Sequence, residues 1–143
     1  GLCTSSGMAA IKQAIEPLLA KRTAGEENIN FVSAAQVYGG TFQLFNLRMA
    51  ERGAHVRWVT EPWRIEAWEP LINDNTRFLY AEMPSNPQQA CTDLRAAAEL
   101  AELAHRHGLP LIVDQGYPNE KWGCRTEAHN TLVFLFVFLG APR

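Results

Sequence analysis

The chain has few cysteines, little net charge and no long apolar run. These features argue against a disulfide-rich or zinc-binding protein, a nucleic-acid-binding or membrane-surface protein, and a membrane-spanning protein. Its three cysteines, Cys3, Cys91 and Cys124, are odd in number and form no C-x-x-C pair, which favours reduced thiols over a disulfide framework or a zinc site. Lysine and arginine total 13 against 15 aspartate and glutamate, so the net charge of −2 gives no reason to expect a nucleic-acid or anionic-membrane partner. The longest apolar run, residues 132–139, is far too short to cross a bilayer.

The sequence also lacks a leader segment, internal repeats and a glycine-rich nucleotide-binding motif. The sequence lacks an N-terminal basic segment followed by an apolar one, so we expect a cytoplasmic protein. It contains no internal repeat or low-complexity linker, and 143 residues suit a single domain, although this length is short for an enzyme built on a large parallel sheet. The G-x-G-x-x-G pattern is missing, which argues against a Rossmann-like nucleotide-binding protein.

The apolar residues that are present alternate between the helical and the strand period along the chain. This alternation is typical of βα units, so we predict an α/β protein with a parallel sheet. The predicted strands cover residues 28–33, 55–59, 77–82, 111–113 and 132–139, and the predicted helices run from Ser6 to about Pro17, over 41–52 and 62–72, and between Asp93 and Gly108.

Each predicted helix has an apolar face, which we expect to pack on the sheet. The helical period places on these faces Met8, Ile11, Ala14 and Ile15 in the first helix, Phe42, Phe45 and Met49 in the second, Ile65, Trp68 and Ile72 in the third, and Leu94, Ala97, Ala98, Ala101 and Ala104 in the fourth. Helices with such faces are expected on a sheet that is covered by other elements.

Two short motifs stand at the start of predicted helices. Gly7 and Met8 open the first helix after two serines, where free backbone amides and a glycine allow a phosphate to approach, although an ordinary serine N-cap has the same local pattern. Tyr38 precedes two glycines, whose missing side chains let a flat group approach the tyrosine ring. A turn with a packed tyrosine is the simpler explanation of the second motif taken alone.

Two more motifs follow predicted strands. Residues 82–87 read Glu-Met-Pro-Ser-Asn-Pro, and the two prolines project the amide of Asn86 at the carboxyl end of the sheet, while we interpret Glu82 as supporting structure. Turn formation alone explains this segment equally well. Asp114 directly follows Leu-Ile-Val, and a carboxylate at the end of a buried strand needs a cationic partner such as a pyridinium nitrogen, unless it lies in a surface turn.

Together and in this order, the four motifs resemble the Cys/Met-metabolism family of pyridoxal-phosphate (PLP) enzymes, which includes cystathionine γ-synthase, methionine γ-lyase and O-acetylhomoserine sulfhydrylase. The resemblance covers residues 2–114 and implies an α/β/α sandwich with a mostly parallel sheet, the large domain of fold-type I PLP enzymes. It implies that Gly7 and Met8 bind the cofactor phosphate and that Tyr38 stacks on the ring and is a candidate acid. It also implies that Asn86 lies near the phenolic oxygen and that Asp114 contacts the pyridinium.

The resemblance ends after Asp114. Family members continue to a Ser-x-Thr-Lys segment whose lysine binds PLP covalently, and residues 115–143 contain no such segment. Lys121 stands in no family motif, so we do not assign it that role. We therefore expect a partial PLP-binding large domain over residues 1–143, with a divergent tail over 115–143, that has no turnover by itself.

The activity implied for the family is transsulfuration, an elimination or replacement on sulfur amino acids or O-acylhomoserine, with O-acetylhomoserine sulfhydrylase as our first choice. The resemblance implies a small amino-acid substrate and a dimer or tetramer at full length. The alternative is a non-catalytic remnant or an interaction module. If the four motifs form one site, the strands before Glu82 and Asp114 must be parallel, with their carboxyl ends near Tyr38 and the start of the first helix.

Overall fold

A single five-stranded sheet forms the centre of the protein. The computed structural model describes residues 4–20, 27–83, 94–115 and 134–138, and of residues 94, 95 and 134–138 it describes the backbone alone. The strands are β1 (Ile29–Ala34), β2 (Ala54–Val59), β3 (Thr76–Glu82), β4 (Leu111–Gln115) and β5 (Phe134–Phe138). They lie in the order β2-β1-β3-β4-β5, and all pairs are parallel except β4 with β5. The predicted α/β class and mostly parallel sheet are confirmed.

Helix α1 (Gly7–Ile15) begins and ends where the sequence predicts. The side chain of Ser6 caps it by accepting a hydrogen bond from the backbone amide of Ala9 at 3.2 Å. The helix ends just before Pro17, which lacks the amide hydrogen that a continuing helix needs. Ile11 and Ile15 form its buried face, whereas Met8 and Ala14 are only partly buried.

The segment that follows β1 is helical but not uniform. Helix α2 (Gly39–Gln43) continues as a π-helix (Leu44–Met49) and a 3-10 turn (Ala50–Arg52), which ends at Gly53 in a left-handed conformation. Phe45 and Met49 are buried as predicted, but Phe42 is 47% exposed, so the prediction of one common face is wrong for Phe42. A π turn holds more residues than an α turn, so the spacing of 42 and 45 no longer selects one face.

The predicted helix over residues 62–72 is wrong. This segment forms two short 3-10 turns, Ile65–Ala67 and Glu69–Leu71. Pro70 stands in the second turn, and a proline inside an α-helix would remove a hydrogen bond and clash with the preceding turn. Trp68 is nonetheless fully buried, and its indole nitrogen donates to the carbonyl of Pro62 at 3.1 Å.

Helix α3 (Leu94–Arg106) connects β3 to β4. Its buried side chains, among those described, are Leu100, Leu103 and Ala104. The predicted apolar face is right for Ala104 and for Ala101, which packs against the same core, but wrong for Ala98, which is exposed. The larger leucines remove more apolar surface from water than alanines do, and they determine which side of the helix turns inward. Asp93, at the predicted start of this helix, lies outside the described residues.

Helical elements pack on both faces of the sheet, which confirms the α/β/α sandwich. One core contains Leu79 and Ala81 of β3 and the leucines of α3. The other contains Phe78 and Tyr80 of β3, together with residues of α1 and the helical segment 39–52. Alternate residues of β3 therefore enter opposite cores. No helix among the described residues is long and apolar enough to span a membrane.

Candidate functional site

The strand order creates a switch point between β1 and β3. The chain passes from β1 to the neighbouring β2 through segment 39–52 on one face of the sheet, and from β3 to the neighbouring β4 through α3 on the other face. Connections that leave in opposite directions open a crevice at the carboxyl ends of the two strands, which is the usual ligand position in open α/β sheets. The carboxyl ends of β1 and β3 mark the candidate site.

A hydrogen bond crosses this switch point. The backbone amide of Tyr38, in the loop after β1, donates to Oε2 of Glu82, the last residue of β3, at 2.8 Å. Glu82 is buried, whereas the side chain of Tyr38 is 52% exposed. The sequence alone assigns Glu82 a supporting role. The signal that could have found it is its position two residues after Tyr80, at the end of the apolar part of β3 that begins at Phe78. This spacing turns both side chains to the same face.

Asp114 lies beside Glu82 in the neighbouring strand. The two residues are register partners in the parallel pair of β3 and β4. The phenol of Tyr80 donates a hydrogen bond to Oδ2 of Asp114 at 2.7 Å. The other carboxylate oxygen, Oδ1, is buried and has no hydrogen-bond partner among the described residues. An unpaired buried carboxylate oxygen is costly, and it indicates a place for a donor that the described residues do not supply.

The first and second motifs meet at Gly40. A Cβ atom at this position would lie 2.7 Å from Cε1 of Tyr38 and 3.3 Å from Sδ of Met8. At the first distance, a side chain at this position would force the Tyr38 ring to move, so glycine is what lets the ring lie there. The start of α1 therefore lies close to the Tyr38 loop.

The described part of the chain thus brings together most of the sequence-predicted residues. Met8 and Tyr38 lie together, and Tyr38 is hydrogen-bonded to the neighbour of Asp114. Gly7 is the first residue of α1, and the hydroxyl of Ser6 is used as its N-cap, as the simpler interpretation expects. Asn86 lies outside the described residues, so its placement stays a prediction.

Burial of three ionisable groups shifts their pKa values. Burial raises the pKa of Glu82 from 4.5 to about 7; the Tyr38 amide opposes this shift and the Asp114 charge adds to it. Burial also raises the pKa of Asp114, and the hydrogen bond from Tyr80 acts in the opposite direction. The pKa of Tyr80 is raised well above its ordinary value by burial and, secondly, by the charge of Asp114. All three pKa shifts mean that a negative charge on these groups is unfavourable in the site unless a cation lies nearby.

These shifts predict that the protein loses stability between weakly acidic and neutral pH. The pKa of Glu82 is higher in the folded state, so its contribution is fully present below pH 4.5 and is lost as the pH rises to about 7. We expect the free energy of unfolding to fall by about 2 kcal/mol across this window, as measured by urea unfolding. In Glu82→Gln, which has no charge to bury, most of this dependence is expected to disappear. An unchanged slope in that variant would refute the assignment to Glu82.

Comparison with known proteins decides the family. The sequence pattern of the Cys/Met metabolism PLP-dependent enzymes matches residues 1–119. The chain belongs to this family. It is 36% identical over 110 residues to O-acetyl-L-homoserine sulfhydrylase of Corynebacterium glutamicum, covering 77% of this chain and 23% of that protein. It is 34% identical over 117 residues to cystathionine gamma-synthase of Haemophilus influenzae, covering 82% and 29% of the two proteins.

Solved structures agree with the sequence relatives of this PLP-dependent family. O-acetylhomoserine sulfhydrylase of Wolinella succinogenes superposes with a TM-score of 0.64 at 36% identity, covering 78% of this chain and 29% of that chain. Cystathionine gamma-lyase of Lactobacillus plantarum superposes with a TM-score of 0.66 at 29% identity, covering 79% and 27%. The chain spans less than a third of the length of these relatives. The resemblance drawn from the four motifs is confirmed, as is the fold of the fold-type I large domain.

Proposed function

We propose that this chain forms most of the cofactor site of a PLP-dependent transsulfuration enzyme. The observation that carries the proposal is Oδ1 of Asp114, which is buried, without a partner among the described residues, and located at the carboxyl end of β4. A protonated pyridine nitrogen is a cationic donor of the kind that this oxygen lacks. The residues present therefore fit the family's cofactor.

Each residue of the proposed site has one task. Asp114 binds the pyridine nitrogen and keeps it protonated, and Tyr80 orients the Asp114 carboxylate by holding its other oxygen. The first amides of α1, at Gly7 and Met8, bind the phosphate, because the first turn of a helix leaves its amides free and its dipole favours an anion. Tyr38 stacks on the ring.

The substrate side of the proposed site consists of Asn86 and the phenol of Tyr38. Asn86 binds near the phenolic oxygen of the cofactor and the substrate carboxylate, and the phenol of Tyr38 donates a proton to the leaving group. When bound, the cofactor supplies an electron sink that stabilises a carbanion at the α-carbon of an amino acid. The proposed reaction is an elimination or replacement on a sulfur amino acid or an O-acylhomoserine. Relatives named as O-acetylhomoserine sulfhydrylases support that substrate as first choice.

A second candidate function is a non-catalytic one. The 143 residues contain no Ser-x-Thr-Lys segment, so the family's covalent attachment of the cofactor has no assigned lysine within them. We propose that this chain by itself binds the cofactor reversibly and has no turnover. Borohydride reduction with PLP followed by peptide mapping is expected to label no lysine specifically. Specific labelling of Lys121, matched by product release from O-acetylhomoserine, would contradict this.

The proposed cofactor site is tested best with pyridoxamine 5′-phosphate, which has the ring and the phosphate but needs no lysine. We expect saturable binding at one site per chain in isothermal titration calorimetry. Pyridoxamine without phosphate serves as the control ligand and is expected to bind at least about tenfold more weakly, since it lacks the contact with the start of α1. The proposal fails if pyridoxamine 5′-phosphate does not bind or if the two ligands bind equally.

A further inference from the structure

Glu82 has a position that is hard to explain as simple support. Its carboxylate is buried directly beside that of Asp114, and two neighbouring carboxylates repel each other. Phe78, which lies on the same face of β3, is a buried apolar residue, so an apolar side chain would be the cheaper occupant of position 82. What an apolar residue cannot do is accept a hydrogen bond. Glu82 accepts one from the backbone amide of Tyr38, across the switch point.

We infer that Glu82 is a positioning residue, which holds the Tyr38 loop against the end of β3 and thereby places the Tyr38 ring at the site. The hydrogen bond of 2.8 Å is made to the backbone of Tyr38, so it fixes the point from which the ring projects. The residue before it, Val37, is buried in the core that also contains Tyr80, so the loop is also anchored immediately before the Tyr38 amide.

The ring itself lies against a second part of the structure. The absent side chain of Gly40 leaves the space that the ring occupies, and Met8 borders the same space. The ring is still half exposed, so these contacts alone do not enclose it. Glu82 therefore supplies the connection between the Tyr38 loop and the strand that lies next to Asp114. No other hydrogen bond described for the Tyr38 amide competes with it.

Side-chain length and charge can be separated by two conservative variants. Glu82→Gln keeps the length and offers a carbonyl acceptor without charge. Glu82→Asp keeps the charge but is shorter by one methylene, about 1.5 Å, so its carboxylate cannot reach the Tyr38 amide from the same backbone position. A positioning role requires a side chain long enough to reach the Tyr38 amide. Glu82→Asp should therefore be the damaging change and Glu82→Gln the tolerated one. A role based on charge predicts the reverse order.

The first readout is hydrogen exchange of the Tyr38 amide, measured by NMR on the full chain. We expect exchange to accelerate by about tenfold or more in Glu82→Asp and to change by less than about threefold in Glu82→Gln. Glu61→Asp is the matched control, because Glu61 pairs with Arg64 at the surface, and it should leave Tyr38 unaffected. Unchanged exchange in Glu82→Asp, or faster exchange in Glu82→Gln alone, would overturn the inference.

Folding of the variants is followed by thermal unfolding. If Glu82→Asp does not fold, Glu82→Met takes its place, because it keeps the length, removes the acceptor and suits a buried position. The expected result is the same acceleration at Tyr38, and retained protection in Glu82→Met would overturn the inference.

The second readout rests on the proposed function. We expect Glu82→Asp to weaken pyridoxamine 5′-phosphate binding by about fivefold through the misplaced Tyr38 ring, and Glu82→Gln to bind like the unchanged chain. If neither the unchanged chain nor any variant binds this ligand, the proposed function fails. The hydrogen-exchange result then still decides the role of Glu82. If the ligand binds and Glu82→Asp binds it equally well, Glu82 does not position the ring.

Discussion

Replacing Asp114 by asparagine is expected to weaken the binding of pyridoxamine 5′-phosphate by about 100-fold. The Asp114 carboxylate is buried, one oxygen is held by Tyr80, and the other has no partner within the described part of the chain. A charge-assisted hydrogen bond in such a place accounts for about 2 to 4 kcal/mol of binding, because little water competes for it. Asparagine keeps the shape but removes the charge that attracts the protonated ring. Titration calorimetry gives the affinity directly.

Two measurements separate a loss of binding from a loss of structure. Asp74→Asn alters an exposed carboxylate and is expected to leave the affinity unchanged. Asp114→Asn should also unfold at an equal or higher urea concentration than the unchanged chain, because a buried charge without a bound cation costs stability. Equal affinity in Asp114→Asn and in the unchanged chain would remove the main support for the proposed site.

The second large effect concerns the core beneath the site. Phe31 is fully buried; its ring stacks on Phe78 with centroids 4.7 Å apart and meets the edge of Phe45 at 4.9 Å. Phe31→Ala is expected to lower the free energy of unfolding by about 4 kcal/mol, because it removes a large apolar side chain and leaves a cavity. For a domain of this size, such a loss is a large part of the total stability.

Phe42→Ala is the matched control for that experiment. Phe42 stacks on Trp58 at the surface, with ring centroids 5.1 Å apart, and is 47% exposed. Its loss should cost about 1 kcal/mol, since half of the ring remains in water and the site can relax. Urea unfolding measures both variants. Similar losses in the two would mean that Phe31 is not in the central core.

Local sequence patterns were a good guide to the elements and a poor guide to details within them. The four parallel strands lie close to where the sequence predicts them, and the end of α1 follows from Pro17. The segment 62–72 had a helical apolar period but forms 3-10 turns around Pro70. The outward position of Phe42 depends on a π-helical turn, which no residue type marks in advance.

The order of the four motifs was enough to identify the family, because each motif records a local backbone requirement at a fixed place in the chain. This order identified Gly7, Met8, Tyr38 and Asp114. It also showed which of them stand at the start of a helix and which at the end of a strand. The position of Asn86 stays a prediction, as does the role of every one of these residues in binding PLP.

The sequence by itself determined the class of fold, the family and the residue types of the proposed site, since apolar period, turn residues and motif order are local properties. Only the tertiary structure decided which of these residues meet. Tyr80 and Asp114 are 34 positions apart and Tyr38 and Glu82 are 44 positions apart, and both pairs form through the alignment of neighbouring strands. Strand register is determined by packing of the whole sheet, so the role of Glu82 was not visible until β3 was placed between β1 and β4.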